Sequence, residues 1–118
     1  MGFFGYHLML DCSGCGDGIA SRDAIYNFTK ELVDAIDMTA FGEPIIEYLL
    51  PGDPKQGYSM LQLITTSNFA GHFMELTGIM YLDVFSCKEY DQQIVIDTVK
   101  KYFDPKKIRV NFITRDAE

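Results

Sequence analysis

No stretch of this 118-residue sequence is apolar for the ~20 consecutive residues that a membrane-spanning helix needs. The opening MGFFGYHLML has neither the basic start nor the small-residue cleavage site of a secretory leader, so a cytoplasmic protein with no membrane contact is expected. Basic residues are scarce: 10 Lys and Arg stand against 17 Asp and Glu, leaving a net charge of -7. That balance argues against a nucleic-acid partner, because a phosphate-binding surface needs clustered cations. The one basic cluster, KKYFDPKKIR, reads as a solvated helix end. Cysteines number only 3, so at least one is unpaired, as suits a reducing compartment. Cys12 and Cys15 do form a C-S-G-C spacing, but no second ligand pair stands at zinc-site spacing. The glycines Gly14, Gly16 and Gly18 make a loop where a redox CxxC would open a helix. No metal is expected.

What is present suffices for one core. The chain is 47% hydrophobic and 14% aromatic, and no linker or low-complexity segment divides it, so residues 1–118 read as a single domain. A domain this small gains from burying a sheet face or edge against a second copy.

The periodicity gives the element order. Tyr6 to Asp11 is a short apolar strand, and the glycine-rich loop after it leads to Ser21, a helix N-cap. Ile25, Phe28, Leu32 and Ile36 recur at helical spacing over Asp23 to Ile36. Ile45 to Leu50 and Tyr58 to Thr65 are strands on either side of the loop PGDPKQG, and Ile79 to Ser86 is a third. Asp91 caps a second helix reaching Phe103, with a face of Ile94, Val95, Thr98, Val99 and Tyr102; Pro105 ends it. Ile108 to Thr114 is the last strand. The expected fold is α+β, a two-layer sandwich in which two helices pack on one face of a mostly antiparallel sheet.

Chemistry concentrates in ITTSNFAGHFMELTGIMYLDVFSC, which holds Ser67, His72 and Cys87. Singly, each has an ordinary structural use as a turn serine, a packed histidine or a small buried thiol. On this reading Ser67 follows a strand end, His72 lies in a glycine-containing connection, and Cys87 closes the next strand. Strand ends and the loops beyond them are where a rigid sheet can position reactive groups, so the geometry permits the residues to converge.

Taken together, GYHLMLD, a following CG, LLP before the loop, S-x-x-x-x-x-x-x-S-x-x-x-x-H from Ser59 to His72, and G-x-x-x-x-DVFSC from Gly78 to Cys87 resemble the small prokaryotic S-adenosylmethionine decarboxylase proenzymes. The resemblance runs from about Gly5 to Val110. It implies a self-processing, pyruvoyl-dependent decarboxylase in which the chain is cut between Thr66 and Ser67. The products would be a β chain of residues 1–66 and an α chain of residues 67–118 that begins with a pyruvoyl group derived from Ser67. That group would be the only cofactor, with none added from outside, and would form a Schiff base with the substrate amine, giving the electron sink that decarboxylation requires.

The resemblance also implies roles. His72 is the base that removes the Ser67 α-proton, Ser59 a hydroxyl that assists processing, and Cys87 the acid that returns a proton to the substrate carbon. The small-molecule substrate is S-adenosylmethionine and the assembly a homodimer, each subunit giving one sheet and helix layer. Departures fall mainly in the nucleoside pocket. Thr66 stands where the family has Glu, and FMELTG stands for T-W-P-E-Y-G, with Met74 at the Trp position and Leu76 at the Glu position. Phe73, Glu75 and Tyr48, neighbours of the expected pocket positions, are with Met74 the candidate substrate contacts. Two alternatives stay open: a pyruvoyl decarboxylase of another amino acid, arginine or ornithine, and a non-processed binding or regulatory homologue.

Overall fold

Six strands, Ile45–Leu49, Gly57–Ile64, Ser67–Met74, Ile79–Ser86, Gly5–Ser13 and Lys107–Arg115, lie side by side in that order and pair antiparallel. The computed structural model describes residues 5–118. Along the chain come β1 (Gly5–Ser13), a short 3-10 turn (Asp17–Ala20), α1 (Arg22–Ala35), β2 (Ile45–Leu49), β3 (Gly57–Ile64), β4 (Ser67–Met74), β5 (Ile79–Ser86), α2 (Gln92–Phe103) and β6 (Lys107–Arg115).

Both helices start where a side chain can satisfy a free amide. Ser21 accepts from the Ala24 N–H at α1, and Asp91 accepts from the Gln93 N–H at α2. Helix α2 ends at Asp104, left-handed with φ 43°, one residue before Pro105. The two helices cover one sheet face, where Leu8, Leu10, Phe69, Phe73, Met80, Leu82 and Val84 meet Ile25, Phe28, Leu32, Val95, Val99 and Phe103. Phe103 packs on Phe28 at 4.9 Å and on Phe73 at 5.2 Å between ring centroids. The expected face of α2 shifts by one position: Ile94 is exposed and Phe103 is buried, because the helix leans on β4 through its last turn.

One strand goes beyond the sequence reading. Residues 67–74, read there as a connection, form β4 in the middle of the sheet, so Ser67 and His72 both lie on a strand. Gly71 hid it, since glycine inside an apolar run reads as a break. Here glycine is needed because a Cβ at 71 would stand 2.8 Å from the Phe73 ring and 3.3 Å from Met60. The outer face of the sheet carries no layer. Ile45, Leu49, Leu61, Leu63, Tyr81 and Ile113 are exposed there.

Candidate active site

Strands β3 and β4 are joined by the two-residue turn Thr65–Thr66, with Ile64 opposite Ser67. Hairpins this tight favour turns whose central residues have positive φ. Neither threonine has positive φ; the conformation is taken up by Ser67 instead, at φ 155°. A side chain there is strained by about 1–3 kcal/mol, and such strain persists only when neighbours enforce it.

Those neighbours are visible. The Thr65 N–H donates to the Thr39 carbonyl at 2.9 Å, and the Cys87 N–H donates to the Thr66 carbonyl at 3.0 Å. The Thr66 hydroxyl lies 2.7 Å from the Ser86 hydroxyl, and both touch the Met38 thioether, at 3.5 and 3.6 Å. The peptide unit between Thr66 and Ser67 is thus held from both sides, its carbonyl polarised by a fixed N–H and its strained serine in line with Ser86 on β5. Cys87, exposed and with a free thiol, has its backbone at the same place.

His72 sits elsewhere. The β3–β4 register puts it opposite Ser59, and Ser59 Oγ lies 3.2 Å from His72 Nδ1. Five residues of extended strand separate His72 from Ser67, about 16 Å along β4. The convergence of Ser67, His72 and Cys87 that the sequence permits therefore does not occur within one chain. The sheet makes two clusters instead: Thr66, Ser67 and Cys87 at one end of β4, and Ser59 with His72 on the outer face near the other.

Beside Ser59 and His72 is an open cavity of about 200 Å³, lined also by Leu49, Leu50, Lys55, Tyr58, Phe73 and Met74. Met74 alternates onto the His72 side of β4, whereas the Phe73 ring turns into the core and is 1% exposed. Tyr48 and Glu75 are hydrogen bonded to each other, and Gln56 from the PGDPKQG loop donates to both at 2.9 Å. The bond to Glu75 raises the Tyr48 phenol above its ordinary pKa. Gln56 was not anticipated; its place at the end of a proline-rich loop is the one hint the sequence carries. Cys12 is buried, and its thiol is pushed up to about 12 by that burial and by Cys15. Among the described residues, no group of three or more His, Cys, Asp or Glu is placed to hold a metal ion.

Comparison with known proteins bears on this arrangement. The family described as S-adenosylmethionine decarboxylase matches residues 6–116. An S-adenosylmethionine decarboxylase proenzyme of Clostridium botulinum (strain Loch Maree / Type A3) is 25% identical over 117 residues, 98% of this chain and 97% of the relative. One from Thermomicrobium roseum is 24% identical over 112 residues, 94% of this chain and 92% of the relative. The crystal structure of the adenosylmethionine decarboxylase from Aquifex aeolicus superposes with a TM-score of 0.82 at 20% identity, covering 98% of this chain and 92% of that one, a likeness of fold.

Proposed function

The chain belongs to the S-adenosylmethionine decarboxylase family, and from that premise we propose that it is a proenzyme that cuts itself between Thr66 and Ser67 and then decarboxylates S-adenosylmethionine. The single observation that carries this is the peptide unit at the β3–β4 turn, with a strained serine on one side and a hydrogen-bonded carbonyl on the other.

In the first step the Ser67 hydroxyl attacks the Thr66 carbonyl carbon. The C–N bond breaks, the serine nitrogen becomes an amine, and Thr66 is left as an ester on Ser67 Oγ. Negative charge gathers on the Thr66 oxygen during the attack, where the Cys87 N–H already points. Strain at Ser67 is relieved as the bond breaks, which lowers the barrier. A base then removes the Ser67 α-proton, the Cβ–O bond breaks with Thr66 leaving as a carboxylate, and water replaces the resulting imine nitrogen as ammonia. The pyruvoyl carbonyl so formed supplies the sink for the electron pair released with CO₂. Cys87, whose backbone is fixed at the cut, is the donor of the proton that replaces CO₂ on the substrate carbon.

The base is His72, held through Nδ1 by Ser59, and it acts on a second copy of the chain. Two facts support a homodimer: the outer sheet face exposes Leu61, Leu63, Tyr81 and Ile113, and His72 lies on that same face about 16 Å from its own Ser67. Face-to-face packing covers the apolar side chains and brings the Ser59–His72 pair of one subunit to the cut of the other. The cavity beside His72, with Met74 at its wall, receives the nucleoside, while Tyr48 and Glu75 brace the loop behind it. Free thiols at Cys12, Cys15 and Cys87 fit a reducing cytoplasm.

Carboxyl-labelled S-adenosylmethionine tests the activity. Processed protein is expected to release labelled CO₂ and the Ser67→Ala chain none; turnover of arginine or ornithine without turnover of S-adenosylmethionine contradicts the reading.

A further inference from the structure

We infer that Ser86 is a positioning residue for chain scission, acting through the Thr66 hydroxyl and the Lys88 amide to set the carbonyl that is attacked; this rests on the self-cleavage proposed above. Ser86 is fully buried at the end of β5, where an unpaired hydroxyl would be costly. Its oxygen accepts from the Lys88 N–H at 2.9 Å, the serine-to-second-residue turn that curls a chain locally. That curl fixes the residue in between, and the Cys87 N–H donates to the Thr66 carbonyl at 3.0 Å. The same hydroxyl lies 2.7 Å from Thr66 Oγ1. One buried group therefore grips Thr66 twice, by its side chain directly and by its carbonyl through Cys87.

The effect on the reaction is directional. Attack by Ser67 Oγ turns the Thr66 carbonyl carbon tetrahedral and its oxygen negative, and the Cys87 hydrogen bond helps only if the carbonyl stays aimed at it. Thr66 has no charged group with which to fix itself, so its hydroxyl contact with Ser86 and the Met38 thioether supplies the hold. Ser86 touches neither attacking nor leaving atom. Its influence is confined to the acyl shift, before the α-proton is removed.

The experiment follows freshly translated full-length precursor by intact mass, with and without hydroxylamine. Hydroxylamine cleaves the Ser67 ester, giving a Thr66 hydroxamate and a free serine amine, and so reports ester formation. Ser86→Ala and Thr66→Val are each expected to slow both spontaneous and hydroxylamine-driven scission by about tenfold or more, and Ser86→Thr to restore the rate. The double variant is expected to be no slower than the slower single variant, because both remove one contact. If Ser86→Ala does not fold, Thr66→Val reads the same contact from the other side. Wild-type rates in folded single variants, losses that multiply in the double variant, or full rescue by hydroxylamine each overturn the assignment while leaving self-cleavage intact. A wild-type chain that never cuts removes the cleavage reading and this one together.

Discussion

Two cysteines show how place decides chemistry. Cys12, on β1, is buried with its pKa pushed up to about 12, whereas Cys87 is exposed and its backbone lies beside the Thr66 carbonyl. Alkylation of the native protein near pH 8 with a small neutral reagent is therefore expected to label Cys87 and spare Cys12, as peptide mapping would report. Equal labelling of the two would contradict the buried placement. The Cys12 shift also carries a sign for stability. The unfolded thiol loses its proton near its ordinary 9.0, while the folded one keeps it up to about 12, so between these values the native state binds more protons. Stability then falls as pH rises through this window, by at most about 1.4 kcal/mol per pH unit from this group. Urea midpoints at pH 8 and pH 10 are expected to show a smaller drop in Cys12→Ala than in wild type.

Individual elements carry the register on which the site depends. A two-residue turn at Thr65–Thr66 is enough to set Ser59 opposite His72, and the structure has that pair. The sequence places both helices, their caps and five of the six strands, because apolar period and capping residues are local signals. It does not show β4, since Gly71 interrupts the pattern for a reason that exists only in three dimensions, the Phe73 ring lying over it. Nor does it show the strain at Ser67, which arises from threonines forced into a tight turn. Gly57 is another such position, with φ 153° and the Phe73 carbonyl oxygen 1.8 Å from where a Cβ would stand. Gly57→Ala is expected to cost about 3 kcal/mol or more by displacing β3 from β4, and thermal unfolding would show it. A variant as stable as wild type would contradict the close approach of β3 to β4 at Gly57.

At the scale of the whole molecule, candidate residues close together in sequence are divided between the two ends of β4. The motif from Ser59 to Cys87 marks the candidate residues, but proximity along the chain misleads about their placement, because a strand carries His72 away from Ser67 by about 16 Å. In the proposed homodimer, assembly would reunite them, and complementation tests it. Neither the Ser67→Ala chain nor the His72→Ala chain is expected to mature alone. Co-expressed, the first lends His72 to the second, and the His72→Ala chain is expected to be cut in the mixed dimer. Maturation of His72→Ala by itself at the wild-type rate would remove the histidine from the reaction.

The most direct measurement is the intact mass of freshly expressed protein under denaturing conditions, beside a Ser67→Ala control. Two fragments are expected, residues 1–66 ending in a Thr66 carboxylate and residues 67–118 beginning with a ketone that reacts with a hydrazide. A single uncut chain that remains uncut on incubation, or a second fragment with a free serine amine, would contradict that expectation.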